Sequence, residues 1–504
     1  MIGYMCTIWW LLFFLYHCFP ATLPGLQVPE SPGTRLKREG LTAQHPVVLV
    51  PGFITGGLEL WEGKPCAEGL FRKRLWGGSF SEMLKRPLCL LDHLILHNET
   101  GLDPPGVRVR AVQGLAAADY FAPGYFVWAL LIENLAQIGY EEKNLFMAAY
   151  DWRLSFQNTE IRDQALSKLK SVIELMYVTN GYKKVVAVPH SMGAMYFLLV
   201  VCSRAYYLVC ILACPLVITW DSTISLLPKG GENIWSNLDW FPEVGQVCVL
   251  SNNISSQNSV MITEFFGSHT NKNSESSCGE VWTEYDVINR ESIRKFAENK
   301  DFTVATIFDL LRFVAPKMMQ RAESQFSHEI ADDLDPKYEH YRYWLPDAPD
   351  MEIYCSYGVG VPTERSYVLK VSPIDRCKSI PFRIDTSVDG EEGSCLKSGV
   401  HLVDGEESVP ALSAAVMCAK GWKGSTRFNP SSSPTCIREY QHKPSTSLLE
   451  GRSTESGSHV EILGNDAFIE DLLRVAAGAT GAEIGGDRIH SDILKMSEKI
   501  NLQL

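Results

Sequence analysis

A serine hydroxyl becomes a useful nucleophile near neutral pH only when a base takes its proton and an acid holds that base. In this chain Ser191 stands in a setting that suits such activation: VVAVPHSMGAMYF carries it from a β-branched run into an apolar run of helical character. Strand, sharp turn and helix start follow in the order of a nucleophile elbow, and Gly193 lets backbone pass closely behind the turn. The run departs from G-x-S-x-G at its first position, where Pro189 stands. The alternative for Ser191 is a helix N-cap, a position serine favours.

In elbow folds the partners follow in the order serine, acid, histidine. Beyond the plausible acid loops lie His442, His459 and His490. His459, in the small-residue loop TESGSHVEILGN before the helical run AFIEDLLRVAAG, is the expected base. His442 follows a strand-like run and His490 falls within the helical stretch RIHSDILKMSEKI, so both read as surface residues. For the acid, GVHLVDGEESVPALSAAVMCA puts Asp404 at the end of a β-branched run before Gly405, although Asp-Gly is also an ordinary turn. Asp385, Asp389, Glu406 and Glu407 compete, and Asp404 is preferred because it ends a strand at a tight turn. A tetrahedral intermediate needs N–H donors, drawn in such folds from the residue after the nucleophile and from an early loop. Here these are Met192 and Phe53, the latter in VPGFITGG.

Something must carry these groups to one rim. HPVVLVPGF, NLFMAAYDW, KKVVAVPHS and MEIYCSYGVG are apolar runs that close on Gly, Pro, Asp or Ser, as buried parallel strands do. Amphipathic stretches lie between them, NTEIRDQALSKLKSVIELMYVTNG being read as one helix with an acidic start and a Gly stop. The alternation predicts an α/β fold, a parallel sheet covered on both faces. ATLPGLQVPESPGTRLKREG reads as a linker over 21–42, so the folded domain is expected over 43–504.

A composition of 46% hydrophobic and 21% charged residues is that of a globular protein, and a net charge of −13 without a dense basic block excludes a nucleic-acid role. MIGYMCTIWWLLFFLYHCFP has no charged side chain. Residues 1–20 are read as a membrane anchor, with a cleaved signal peptide or a buried helix as the alternatives. Fourteen cysteines and the sequons at Asn98 and Asn253 suit a lumenal or extracellular domain and mark both asparagines as glycosylation candidates. No spacing typical of a metal site occurs, and His93 and His97 in DHLILHNET read as a surface face.

VPGFITGGLELWEGKPC, LFRKRLWGGSF, DYFAPGYFVW, YDWR, PHSMG, YGVGVPTERSY, VDGEESVP and SGSHVEI together resemble the lecithin:cholesterol acyltransferase family, and within it the plant-type phospholipid:diacylglycerol acyltransferase branch. The likeness runs from about Lys37 to Leu504. It implies an α/β-hydrolase fold with lid and cap insertions, Ser191, Asp404 and His459 as triad, and Phe53 with Met192 as oxyanion donors. It also implies a lid near 62–95, tied by a Cys66 to Cys89 disulfide and carrying Trp76, and a cap within about 220–350. The implied reaction moves an sn-2 acyl chain from a phospholipid to diacylglycerol, without metal or other cofactor, in an enzyme held at the endoplasmic reticulum membrane with its catalytic domain lumenal. Arg72, Lys73 and Arg74 among Phe71, Leu75, Trp76 and Phe80 suit a lipid interface; a buried aromatic cluster with a basic rim is the alternative.

One departure stands out. Family members carry a long segment between the elbow helix and the stretch starting Trp220-Asp221-Ser222, where this chain has only LVVCSRAYYLVCILACPLVITW. The cap is therefore expected to be shortened. The alternatives to the acyltransferase reading are a phospholipase A or sterol acyltransferase of the same family, a catalytically impaired shortened form, and a serine hydrolase of small esters.

Overall fold

The computed structural model describes residues 30–53, 55–77, 85–122, 125–198, 220–226, 307–325, 345–371, 382–390, 394–444, 454–502 and 504. The expected anchor, Phe80, Asn253 and the apolar segment 199–219 lie outside them. Among the described residues no helix is long and apolar enough to cross a membrane.

The chain builds mixed helix and sheet around three parallel strands. Strand β1 (Val47–Val50) lies between β2 (Leu145–Met147) and β3 (Val186–Pro189), with Val47 opposite both Leu145 and Val186. All four side chains of β1 are fully buried. Val48 and Val50 pack with Trp152, Met192 and Tyr196, whereas Val47 and Leu49 pack with Trp128, Leu131, Leu463 and Leu473. Since successive strand residues point to opposite faces, two separate cores cover the sheet, as its apolar runs predict. A second parallel pair joins β4 (Ile353–Val359) to β7 (Thr435–Gln441). Between them in sequence, β5 (Val361–Tyr367) pairs antiparallel with β6 (Val400–Gly405), placing Asp404 opposite Pro362.

Two expectations about local structure change. Residues 32–38 of the expected linker form helix α1 (Pro32–Arg38), with the Ser31 hydroxyl accepting the Thr34 N–H as N-cap and Pro32 in the first turn. Helix α1 is held between α2 (Ala129–Gln137) and α6 (Asp466–Ala476): Gly33 N–H donates to Asn134, Arg35 pairs with Glu470, and Leu36 is fully buried. A single apolar residue carries most of that packing, which is why no periodicity announced it. The stretch read as one helix over 158–181 belongs to two, Phe156–Asp163 and Ala165–Thr179, because Gln164 takes a left-handed φ of 53° at their junction.

Candidate active site

Ser191 follows β3 directly and precedes helix α3 (Met192–Leu198). Its φ of 60° is the left-handed conformation that a non-glycine residue adopts at a cost of roughly 1–3 kcal/mol and that elbows use to expose a nucleophile. The surrounding glycines show why the turn closes here. A Cβ on Gly193 would lie 2.4 Å from the Val50 carbonyl oxygen, and one on Gly52 would lie 2.8 Å from Ser191 Oγ. The loop after β1 thus touches the serine side chain at Gly52. Phe53 follows that contact on one strand end and Met192 follows it on the other, so both expected oxyanion donors adjoin it. The Phe53 ring is buried edge-on against Trp152 and Trp220, and Trp152 in turn meets Trp76.

His459 stands in the loop before the short turn Glu461–Gly464 and α6. Asn465 shapes that loop: its side-chain Oδ1 caps α6 by accepting the Ala467 and Phe468 N–H groups, and its Nδ2 donates to the Ser456 carbonyl. The imidazole is buried, and its Nδ1 is 2.6 Å from Glu406 Oε1. The carboxylate can only accept when ionised, so Nδ1 carries the hydrogen and Nε2 of the neutral ring is the proton acceptor. The His459 N–H also donates to the Glu406 carbonyl, at 2.8 Å. On the nucleophile side the His459 ring faces that of His190, with centroids 4.7 Å apart. The expected base therefore lies beside the residue that adjoins Ser191.

Asp404 does end strand β6 as expected, but the carboxylate brought to His459 is that of Glu406. Asp404 Oδ1 accepts the Gly360 N–H at 2.6 Å, while Glu406 Oε2 accepts the Gly358 N–H at 3.1 Å. Two acids two residues apart thus engage two amides two residues apart on the same neighbouring segment. Register, combined with the backbone bond between Glu406 and His459, decides which acid meets the imidazole. Gly358 must be glycine for this: its Cβ would come within 1.6 Å of the Gly457 carbonyl oxygen, in the loop that carries His459. Burial pushes the Asp404 carboxyl above its ordinary range, the Gly360 N–H opposing and Glu439 adding to the effect.

The rival histidines take other roles. Burial pushes the His442 imidazole down, Glu461 opposing it, and its Nδ1 accepts the Gly457 N–H. His490 precedes the helix Ile493–Glu498 instead of lying inside it, and its N–H donates to Glu439. His93, expected on a surface face, is fully buried: Nδ1 bonds the Cys89 carbonyl, and Nε2 accepts the Lys64 N–H. It sits against the Cys66–Cys89 disulfide, which forms as the resemblance implied. With both sulfurs bonded to each other, that Cys-Cys-His cluster has no thiolate for a metal. A further disulfide joins Cys355 to Cys418. Asn98 is half-buried, and its carbonyl accepts from Arg321.

The YDWR run supplies the brace beneath this site. Arg153 and Asp151 are fully buried and paired, and Arg153 also donates to Asp103 and to the carbonyls of His93 and Leu94. Burial alone would raise the Asp151 carboxyl; Arg153 and Arg162 outweigh that and hold it well below the usual carboxylate range. On the far side Arg321 pairs with buried Asp221, and Ser222 Oγ donates to the Trp152 carbonyl.

The family model described as lecithin:cholesterol acyltransferase matches residues 70–220 and 216–466. The chain belongs to the lecithin:cholesterol acyltransferase family. Within the family it is 53% identical to the putative phospholipid:diacylglycerol acyltransferase 2 of Arabidopsis thaliana, across the whole of this chain and 93% of that protein. It is 49% identical to phospholipid:diacylglycerol acyltransferase 1 of Arabidopsis thaliana, across all of this chain and 92% of that one. The phospholipid:diacylglycerol acyltransferase of Schizosaccharomyces pombe is 32% identical over 93% of this chain and 78% of its own length. The first alignment runs over 620 positions against the 504 residues here, so 116 of its positions face no residue of this chain. The two matched segments of the family model meet at 216–220, where the sequence reading expects a missing stretch.

Proposed function

We propose that this family member moves an acyl chain from the sn-2 position of a phospholipid to diacylglycerol, on an α/β-hydrolase core with Ser191, His459 and Glu406 as triad. Ser191 Oγ attacks the ester carbonyl and gives its proton to His459 Nε2, while Glu406 orients the ring and stabilises the imidazolium. The N–H groups of Phe53 and Met192 receive the oxyanion. The lysophospholipid leaves with the proton from His459. Diacylglycerol then gives its hydroxyl proton to His459, attacks the acyl-enzyme and regenerates the serine as triacylglycerol departs. Exclusion of water from the acyl-enzyme favours transfer over hydrolysis.

The reading draws its main support from the full-length identity to two phospholipid:diacylglycerol acyltransferases, joined to the short Glu406–His459 bond beside an elbow serine. The disulfide-tied segment near 62–95 acts as a lid at the lipid surface. Trp61, Phe71 and Leu88 are exposed there, with Arg72 over the Trp61 ring. Anchorage through residues 1–20 at the endoplasmic reticulum membrane, a lumenal domain and glycans on Asn98 and Asn253 complete the proposal.

The test is triacylglycerol formation in microsomes from labelled phosphatidylcholine, with and without added diacylglycerol. Label in triacylglycerol that Ser191→Ala abolishes supports the reading; label only in free fatty acid identifies a phospholipase. The 116 unmatched alignment positions favour a second reading, a shortened chain that binds lipid without turnover. Inactivity of the unmutated chain, together with retained vesicle binding, would establish it.

A further inference from the structure

We propose that His190 is a positioning residue whose imidazole donates its Nε2–H to the His459 carbonyl and packs on the His459 ring, fixing the base relative to the nucleophile. The proposal rests on the triad reading above. Nε2 of His190 is 2.7 Å from the His459 carbonyl oxygen, and a carbonyl only accepts, so this nitrogen carries the hydrogen.

The ring is itself held. His190 is 9% exposed, its N–H donates to Val50, and its carbonyl accepts from Gly193, so strand β1 and the elbow turn fix its backbone. Trp128 stands edge-on to the ring at 6.0 Å, and the His459 ring lies against it at a 34° tilt.

From the base's side, His459 is tied at three points. Glu406 takes its backbone N–H and its Nδ1; His190 takes its carbonyl. Glu406 alone would leave the peptide after His459 able to swing about the acid. The bond to His190 closes a path from Ser191 through its chain neighbour to the base, so the serine-to-base distance follows from a connection one residue long. A displacement near 1 Å at such a distance is worth roughly a hundredfold in rate.

The full-length chain, solubilised in detergent micelles, is labelled at Ser191 with a fluorophosphonate, and triacylglycerol kcat and KM are measured in parallel. His190→Ala is expected to slow both labelling and kcat by about a hundredfold with KM unchanged. His190→Gln, whose amide nitrogen reaches about as far from the backbone as Nε2, is expected to restore both to within about tenfold of the unmutated rate. His190→Asn fills part of the space without that reach and should stay slow, which covers a failure of the alanine variant to fold. Wild-type labelling in His190→Ala, or a glutamine variant as slow as the asparagine one, overturns the role. Undiminished labelling of Ser191→Ala would instead overturn the triad reading, and the role of His190 with it.

Discussion

Glu406 and His459 are joined twice, side chain to side chain at 2.6 Å and backbone to backbone at 2.8 Å, although Asp404 is the acid that ends the strand. The double connection makes the ring's orientation depend on Glu406. Glu406→Gln is expected to lower kcat by about 10²- to 10⁴-fold, the scale known for amide replacement of a triad acid. Asp404→Asn, which keeps an acceptor for Gly360, is expected to stay within about tenfold. Acyl transfer by the two purified variants decides between the carboxylates, and the reverse order of effects would restore Asp404 to the triad.

Close packing of the elbow makes a separate prediction. A Cβ on Gly52 would meet Ser191 Cβ at 2.4 Å, so Gly52→Ala must displace the Ser191 side chain. A loss of about a hundredfold in kcat is expected. Overpacking of this kind costs about 1–3 kcal/mol, and thermal unfolding monitored beside activity separates the two effects.

Acid stability should depend on Asp151. Its folded pKa is held below the unfolded value, so the unfolded chain binds the proton more tightly. The stabilisation is complete above about pH 4, the ordinary carboxylate range, and is lost as pH falls below it. Asp151→Asn removes one of the two carboxylates paired with buried Arg153, leaving Asp103, and is expected to cost about 3 kcal/mol at neutral pH. It should also flatten the dependence of stability on pH below about 4. Thermal midpoints of both chains across pH 3 to 7 measure this, and parallel curves for the two would contradict it.

The disulfide at the lid gives a fourth test. Cys66 and Cys89 are 23 residues apart, and a loop of that size constrains the unfolded chain by about 3 kcal/mol. Cys66→Ser with Cys89→Ser is expected to lower stability by about that amount. If the lid works at the lipid surface, activity toward vesicles should fall more than activity toward a short monomeric ester. Equal losses on the two substrates would count against the interfacial role.

The parts of this site that were legible in sequence were those written as local pattern. The runs that became β1, β2, β3 and β4 showed themselves by unbroken apolar character, and Ser191 by its place between strand and helix. His459 could be singled out because a small-residue loop meets an amphipathic helix there. The choice of acid was less accessible. Asp404 and Glu406 both have the chemistry, and what separates them is a register between β5 and β6 and a glycine contact from β4, both non-local. The two-residue spacing shared by YGVG and DGE was the available signal. Helix α1 was hidden for a different reason: Leu36 is its one large apolar side chain, so tertiary packing against α2 and α6 has to complete it.

The paired amides of Gly358 and Gly360 also bear on what remains when one acid is lost. They form two equivalent docking berths, one turned toward the histidine and one a strand step away, and each is already filled by a carboxylate. Loss of the Glu406 carboxylate would therefore still leave an acid on the same rail, held by the Gly360 N–H one strand step from the histidine.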